Sequence, residues 1–485
     1  MSKQYTNFFL IRDHIFYRGT ENGERVLHKI PYSPSLFVDS KVPTKWKTLD
    51  GKNVDKITFS TVSEARDFIR RYDSVDNFTY YGNVKFHYAF ISDNFKDLID
   101  YDIRDIVVAN IDIEVASEVG FAKPDNPFEE VIAITIDVNG TYLSFGCGDF
   151  VTDNPSVKYI KCENEAGLLR KFLEHWSHIS PDIITGWNIQ FYDIPYLYNR
   201  IERVLGESEA KKLSPWKIAS KKDVYYLNKT QEQIELAGIS VLDYMDLYIR
   251  YQPKKESNKL NYISYVELGE KKISYEEYGN LHNLYKNNFQ LFMEYNIKDV
   301  ELVSRLEKKL KLIEMVIALA YDAKVNFTDV FAQVRLWDTI IFNDLRKKNI
   351  VVPKMTKGEK STEYAGAYVK DVEACSKNWV VSFDLNSLYP NIIAQWNISP
   401  ECLLPDMYSS TRVESLLSES VDTKRFSDSN VSYAANGQCF SNEKIGFLPD
   451  ILMRMYEDRK MYKNKMIAAK KELERVKEEL HKRGL

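Results

Sequence analysis

The residues best suited to chemistry in this chain are carboxylates set among apolar neighbours. In the run ANIDIEV, Asp112 and Glu114 are two positions apart. A strand has a side-chain period of two, so both acids share one face, flanked by Ile111, Ile113 and Val115. Two like charges side by side in apolar surroundings are costly unless neutralised, and a divalent cation with oxygen ligands converts that repulsion into coordination. A wet edge strand explains the pair alone equally well. Asp193, in DIITGWNIQFYDIPYL, follows a buried-looking strand and stands where a helix begins, a place where an aspartate is also an ordinary cap. In MEYNIKDVELV, Tyr295 and Asp299 are four apart on a strongly periodic helix, so they share a face and can reach one site together. Their plain alternative is a surface Tyr–Asp pair.

The elements that must position these groups can be read from the pattern around them. Residues 1 to about 105 give short strands near 7–12, 25–30 and 56–60 and a helix over 63–71. From 106 the pattern changes to the strand VVANIDIEV, a second strand over 131–138 and a third over 141–145, joined through the turn-forming Asn139-Gly140. A helix over 163–176, a strand over 182–186, a helix from Asp193 and a helical pair within 285–312 complete the alternation of an α/β domain. A last unit beyond Pro353 ends in a long charged helix over about 448–483. The 485 residues suggest two to four domains, and 66 basic against 70 acidic residues neither suggest nor exclude DNA. The five cysteines include no C-x-x-C pair, and no apolar run reaches 18 residues, so a reduced, cytoplasmic protein outside the membrane is expected. His175 and His178 read as a helix surface rather than as metal ligands.

Taken in order, D-x-E on a strand, G-W-N-x-x-x-x-D and Y-x-x-x-D on a helix resemble the three motifs of the proofreading 3′-5′ exonuclease domain of family B DNA polymerases and, more distantly, of the DEDDy nucleases. The resemblance implies an α/β and α+β multidomain protein: an N-terminal domain over 1–105 and an RNase H-like exonuclease over 106–311. It also implies two Mg²⁺ or Mn²⁺ ions per active site, which activate water, orient the phosphate and stabilise the leaving 3′ oxygen. Asp112, Glu114 and Asp299 would bind metal, Asp112 bridging both ions. Asp193 would hold a metal directly or through water, and Tyr295 would orient the attacking water. TQEQIELAGISVLDYMDLY resembles the family's strand-separating hairpin and SNKLNYIS its lead-in to the third motif; ordinary structural roles account for both equally well.

The resemblance continues beyond the exonuclease and is strongest to the T-even-type phage members. It implies a helical return to the N-terminal domain over 312–355, a partial palm over 356–443 and a first fingers helix over 444–485. EYAGAYV, with Tyr364, Gly366 and Ala367, resembles the Y-x-G-[GA] segment between the family's exonuclease and palm domains, where Gly366 would admit a template phosphate closely; a simple strand-turn explains it equally well. VVSFDLNSLYPNIIAQWNISPE resembles palm motif A, with Asp384 ending an apolar strand. Asp384 and the Leu385 carbonyl would hold magnesium, Ser387 and Leu388 would present amides to the triphosphate, and Tyr389 would stack under the incoming sugar. Arg459 and Lys463 match the basic pair that meets the dNTP. Neither K-x-x-x-N-S-x-Y-G nor D-T-D, the family's motifs B and C, occurs in the sequence. The expectation is therefore the N-terminal subunit of a split polymerase, unable to polymerise until a second polypeptide brings those motifs. The apolar stripe of the last helix (Met455, Tyr462, Met466, Ala469, Leu473, Val476, Leu480) would meet that partner, and Gly484 stands where a natural end would have its cap. Primer-template and single-stranded DNA, dNTP, a sliding clamp and RNA are the other implied partners, in the cytoplasm of a bacterial host. The rival readings are a free-standing exonuclease and a nucleic-acid-binding translational regulator, for which Phe78, Tyr80, Tyr81, Phe86 and Tyr88 would stack bases, although a place in the core explains these aromatics equally well.

Overall fold

The computed structural model describes residues 3–118, 120, 122–226, 229–353, 371, 374–407, 418, 420, 430–434 and 437–483. Residues 1–37 with 56–343 form one compact unit, and 38–55 with 344–485 form a second. Among the described residues, no helix is long and apolar enough to cross a membrane.

At the centre of the first unit is a six-stranded sheet. Its order is Val157–Lys161, Thr141–Gly146, Val131–Val138, Val108–Val115, Ile183–Thr185 and Ser240–Val241. Val108–Val115 runs antiparallel to Val131–Val138, with Asp112 opposite Thr135, and parallel to Ile183–Thr185. The strand carrying the two acids is thus interior, and the wet-edge alternative falls. Asn139 and Gly140 both have positive φ, 53° and 81°, as the tight hairpin between two right-twisted strands requires. One face of the acid-bearing strand sends Ile111 and Ile113 into a core with Phe145, Leu169, Phe172, Trp176, Leu197 and Ile201. That core is covered by helices Glu165–Ile179, begun by the Asn164 side chain accepting from the Gly167 amide, and Asp193–Leu205.

Against the other face lies the helix Phe289–Leu310, which buries Phe292, Met293, Tyr295, Asn296, Asp299, Val300 and Val303. A polar clasp fixes its rotation. Asn110 donates to the Val300 carbonyl (2.7 Å) and the Ser304 hydroxyl (2.8 Å), and Ser304 donates to Asp137 (2.5 Å). The N-terminal strands Lys3–Ile11, His14–Glu21 and Glu24–Pro31 form an antiparallel meander that shares one apolar core with the helix Leu312–Ala323. Tyr5 donates to the Val325 carbonyl (2.8 Å) and Tyr321 to the Tyr5 carbonyl (2.6 Å). Buried Asp182 ties the meander to the large sheet, accepting from Arg18, Arg25, Thr6 and the Val107 amide.

Several expectations need correction. Tyr80, Tyr81, Phe86 and Tyr88 are buried in the core and Phe78 packs against it, so they offer no stacking surface for RNA. The hairpin is Ala219–Tyr226 with Lys229–Leu236, one strand earlier than TQEQIEL suggested, because the lysine-rich ASKKDVYY hides its strand character. His175 and His178 lie on helix Glu165–Ile179 as expected, each with Nδ1 at a carbonyl of that helix, Lys171 and Glu174.

In the second unit, helix Leu388–Gln395 packs beside the long helix Phe447–Lys482, near a small sheet of Leu403–Met407, Gln438–Ser441 and Val431–Tyr433. The apolar strand expected to end at Asp384 is not formed: residues 374–387 hold no strand. Trp379 and Phe383 are 98% and 92% exposed. A strand is defined by its ladder, and no described residues pair with this segment. The stripe on the long helix is exposed at Tyr462, Met466, Leu473, Val476 and Leu480.

Candidate metal centre

The parallel partner of Val108–Val115 stops at Thr185, paired with Asn110, so on that side the acid-bearing strand loses its neighbour just before Asp112. Gly186 makes the departure possible, since a Cβ there would lie 2.4 Å from the Ile111 carbonyl oxygen. The Ile113 amide is thereby left for Asp193, whose Oδ1 accepts from it at 3.2 Å. Asp193 is the first residue of its helix, preceded by Tyr192 at the cap position, so its carboxylate reaches across to the strand and the simple cap reading is set aside. The intervening loop is held by Asp243, which accepts from the amides of Asn188, Gln190 and Met245, each at 3.0 Å. Burial pushes the Asp243 carboxyl up to about 6.

Tyr295 and Asp299 come from the facing helix. Carboxylate oxygens of Asp112, Glu114 and Asp299 lie within 4.8 Å of one another. Two residues the sequence reading passed over complete the surroundings. The Lys272 ammonium donates to Asp299 Oδ2 at 2.5 Å and to the Tyr295 hydroxyl at 3.0 Å. Asn296 Nδ2 donates to Asp112 Oδ2 at 2.7 Å. Tyr275 meets the Tyr295 ring edge-on, centroids 5.3 Å apart. The surface-pair alternative for Tyr295 and Asp299 is overturned, since both are buried.

The electrostatics are those of a site built for a cation. Burial, then the neighbouring Glu114, Asp193 and Asp299, hold the Asp112 carboxyl well above its ordinary range. Burial and Asp299 push Glu114 up to about 8, and burial pushes Asp193 up to about 7. Asp299 is raised by burial against the pull of Lys272. Burial disfavours the Lys272 ammonium, yet Asp299, Tyr295 and Asp112 more than offset this and hold it charged. One lysine cannot balance four acids. Asp299 Oδ1 is also buried without a hydrogen-bond partner. An orphaned carboxylate oxygen beside two further carboxylates fits a divalent ion with oxygen ligands.

The second unit gathers part of the other predicted set. Arg459 Nη1 donates to the Ser387 hydroxyl at 3.2 Å, joining the long helix to the turn that opens helix Leu388–Gln395. Ser387 itself is left-handed, φ 51°. Lys463 lies one helical turn beyond Arg459, while Asp384, Leu385 and Tyr389 are exposed. Tyr364, Gly366 and Ala367 lie outside the described residues.

Residues 71–263 match the model of the DNA polymerase family B exonuclease domain, and residues 324–483 match that of DNA polymerase family B. The chain belongs to DNA polymerase family B. The DNA-directed DNA polymerase of Escherichia phage RB69 is 34% identical across the whole chain and that of Enterobacteria phage T4 31% identical across 94% of it. The DNA polymerase delta catalytic subunit of Caenorhabditis elegans is 29% identical over 65% of the chain and 29% of its own length. This family B chain spans about half the length of its two phage relatives, 56% and 53%. The helix bearing Tyr295 and Asp299 falls between the two matched stretches, so its assignment to the site rests on geometry.

Proposed function

We propose that the chain carries a metal-dependent 3′-5′ exonuclease acting on DNA ends, together with the first part of a polymerase site. The observation that carries the exonuclease reading is the convergence of Asp112, Glu114 and Asp299 within 4.8 Å, one of their oxygens buried without a partner. Two Mg²⁺ or Mn²⁺ ions, when bound, would supply the charge that activates water and stabilises the leaving 3′ oxygen. Asp112, Glu114 and Asp299 would hold them, with Asp193, braced on the strand through the Ile113 amide, as a further ligand. The Tyr295 hydroxyl, fixed by Lys272, accepts from and orients the attacking water. Lys272 adds positive charge next to the scissile phosphate and keeps Asp299 aimed inward.

Domain limits at 105, 311, 355 and 443 belong to the same reading. In the polymerase part, Asp384 and the Leu385 carbonyl take magnesium, Ser387, Leu388, Tyr389, Arg459 and Lys463 receive the dNTP, and Tyr364 with Gly366 meets template DNA. The Arg459–Ser387 hydrogen bond supports that grouping. Two-metal nucleotidyl transfer needs a second palm carboxylate, which motif C supplies in the family and which these 485 residues do not include. The test uses 5′-labelled single-stranded DNA and primed template. The protein should shorten single strands in Mg²⁺ and not in EDTA, and should extend a primer only when a polypeptide with motifs B and C is added. Digestion undiminished by Asp112→Ala with Glu114→Ala would defeat the exonuclease reading.

A further inference from the structure

On the helix Phe289–Leu310, Tyr295, Asn296 and Asp299 fall on one face by their spacings of three and four. Tyr295 and Asp299 have chemical reasons to point inward; Asn296 has none of its own. It is nonetheless fully buried, 0% exposed, with Nδ2 donating to Asp112 Oδ2 at 2.7 Å and Oδ1 left without a partner. An ionised carboxylate only accepts, so with a cation bound the amide nitrogen must face Asp112 and the amide orientation is fixed. A buried amide with its oxygen unmet costs about 1–3 kcal/mol, a cost that leucine, of similar volume, would not incur. Packing alone therefore does not account for asparagine at this position.

We infer that Asn296 is a positioning residue for the metal centre: its amide holds Asp112, on the strand, in register with Asp299, on the helix, so that both present oxygens to the same cation. This rests on the exonuclease reading above. The two carboxylates belong to elements 187 positions apart in sequence, 299 − 112, and the amide spans the gap at the level of the ligands themselves. With one lone pair of Oδ2 engaged, rotation of Asp112 is restricted and its remaining lone pairs are left for metal. Residues that orient metal ligands in this way typically change metal affinity by about 10–100-fold when lost.

The test is Asn296→Leu, which keeps the volume and removes the donor, with Asn296→Ala as a second variant should leucine fail to fold. Mn²⁺ binding is read by electron paramagnetic resonance, and the Mg²⁺ concentration for half-maximal digestion by a metal titration. Thermal unfolding in EDTA checks the fold. The expected result is a Kd for Mn²⁺ raised about 10–100-fold, a matching rise in the Mg²⁺ requirement and most of the rate recovered at saturating metal. A packing role would instead lower the unfolding temperature in EDTA and leave the Mn²⁺ Kd unchanged, which overturns the inference. A wild-type protein whose Mn²⁺ binding is indifferent to Asp112→Ala overturns the underlying exonuclease reading, so the two failures are distinguishable.

Discussion

Replacing Lys272 by methionine removes the one cation that, among the described residues, contacts the acidic cluster, while keeping most of the length of the side chain. Its ammonium makes two hydrogen bonds, to Asp299 and Tyr295, and both partners are buried. Hydrogen bonds to charged groups contribute about 1.5–3 kcal/mol each, and the desolvation of Lys272 offsets part of that, so a net loss of about 2–4 kcal/mol is expected without metal. A bound cation takes over the neutralisation of Asp299, so saturating Mg²⁺ should recover most of the lost stability. Activity should not recover with it. Tyr295 loses the donor that fixes its hydroxyl, and loss of a positioned proton-handling group typically costs about 10²–10⁴-fold in rate. The assays are thermal unfolding in EDTA and in Mg²⁺, and single-turnover digestion of labelled single-stranded DNA. Tyr295→Phe should share the rate defect without the EDTA-specific instability, and the double variant should be little slower than the worse single one, because both act on one hydroxyl. Equal destabilisation with and without metal, or additive rate losses, would refute the reasoning.

Other expectations follow from the same geometry. Glu114 and Asp193 have folded pKa values of about 8 and about 7, raised above their unfolded values. Their contribution to stability is therefore fully present below about pH 4 and is lost as pH rises through 7 to 8. In EDTA, the gap in unfolding temperature between Glu114→Gln and wild type should widen from pH 5 to pH 8 in favour of the variant, and Mg²⁺ should close it. His87 shows the opposite sign: burial lowers its pKa to about 4, against the pull of Asp329, so its contribution is present above about pH 6.5 and is lost as pH falls toward 4. Relative to wild type, His87→Phe should gain at most about 3 kcal/mol between pH 7 and pH 4.5, measured by urea unfolding. Gly186→Ala would place a Cβ 2.4 Å from the carbonyl oxygen of Ile111, the residue directly before Asp112. The strand must then move, costing about 2–4 kcal/mol by chemical denaturation, and the displaced Asp112 should lower digestion with it.

The faces of the central strand and the order of the acids were legible because a period of two and a period of 3.6 leave direct marks in sequence. Period alone left their plain alternatives open; the resemblance to the family's three motifs singled out Asp112, Glu114, Asp193, Tyr295 and Asp299, and the structure sets Asp112, Glu114 and Asp299 within 4.8 Å of one another, with Asp193 on the Ile113 amide and Tyr295 beside Lys272. Lys272 left no such mark: it lies in LGEKKISYEEY, an irregular stretch, beside Lys271, and nothing in spacing separates the two. Asn296 is a neutral amide inside a helix whose neighbours draw the attention, and Asp243 reads as a helix cap, its hold on the loop before Asp193 being purely tertiary. The failures share a cause. The aromatic run from Phe78 to Tyr88 joins a core that draws on near and distant segments, Phe78 meeting Phe68 and Tyr72 while Tyr88 meets Phe8 and donates to Asp329, and composition cannot tell a stacking platform from a core. The strand expected before Asp384 needs a partner to exist, and a pattern of apolar residues does not supply one.

The central claim is that the acids of the first unit form a two-metal site. Its most direct measurement is anomalous scattering from Mn²⁺ in crystals of the protein with a short single-stranded DNA. The account predicts two peaks about 4 Å apart, bounded by Asp112, Glu114 and Asp299 with Asp193 alongside, and their loss in the Asp112→Ala, Glu114→Ala protein. DNA bound with its 3′ end elsewhere, or no manganese among these carboxylates, would contradict it.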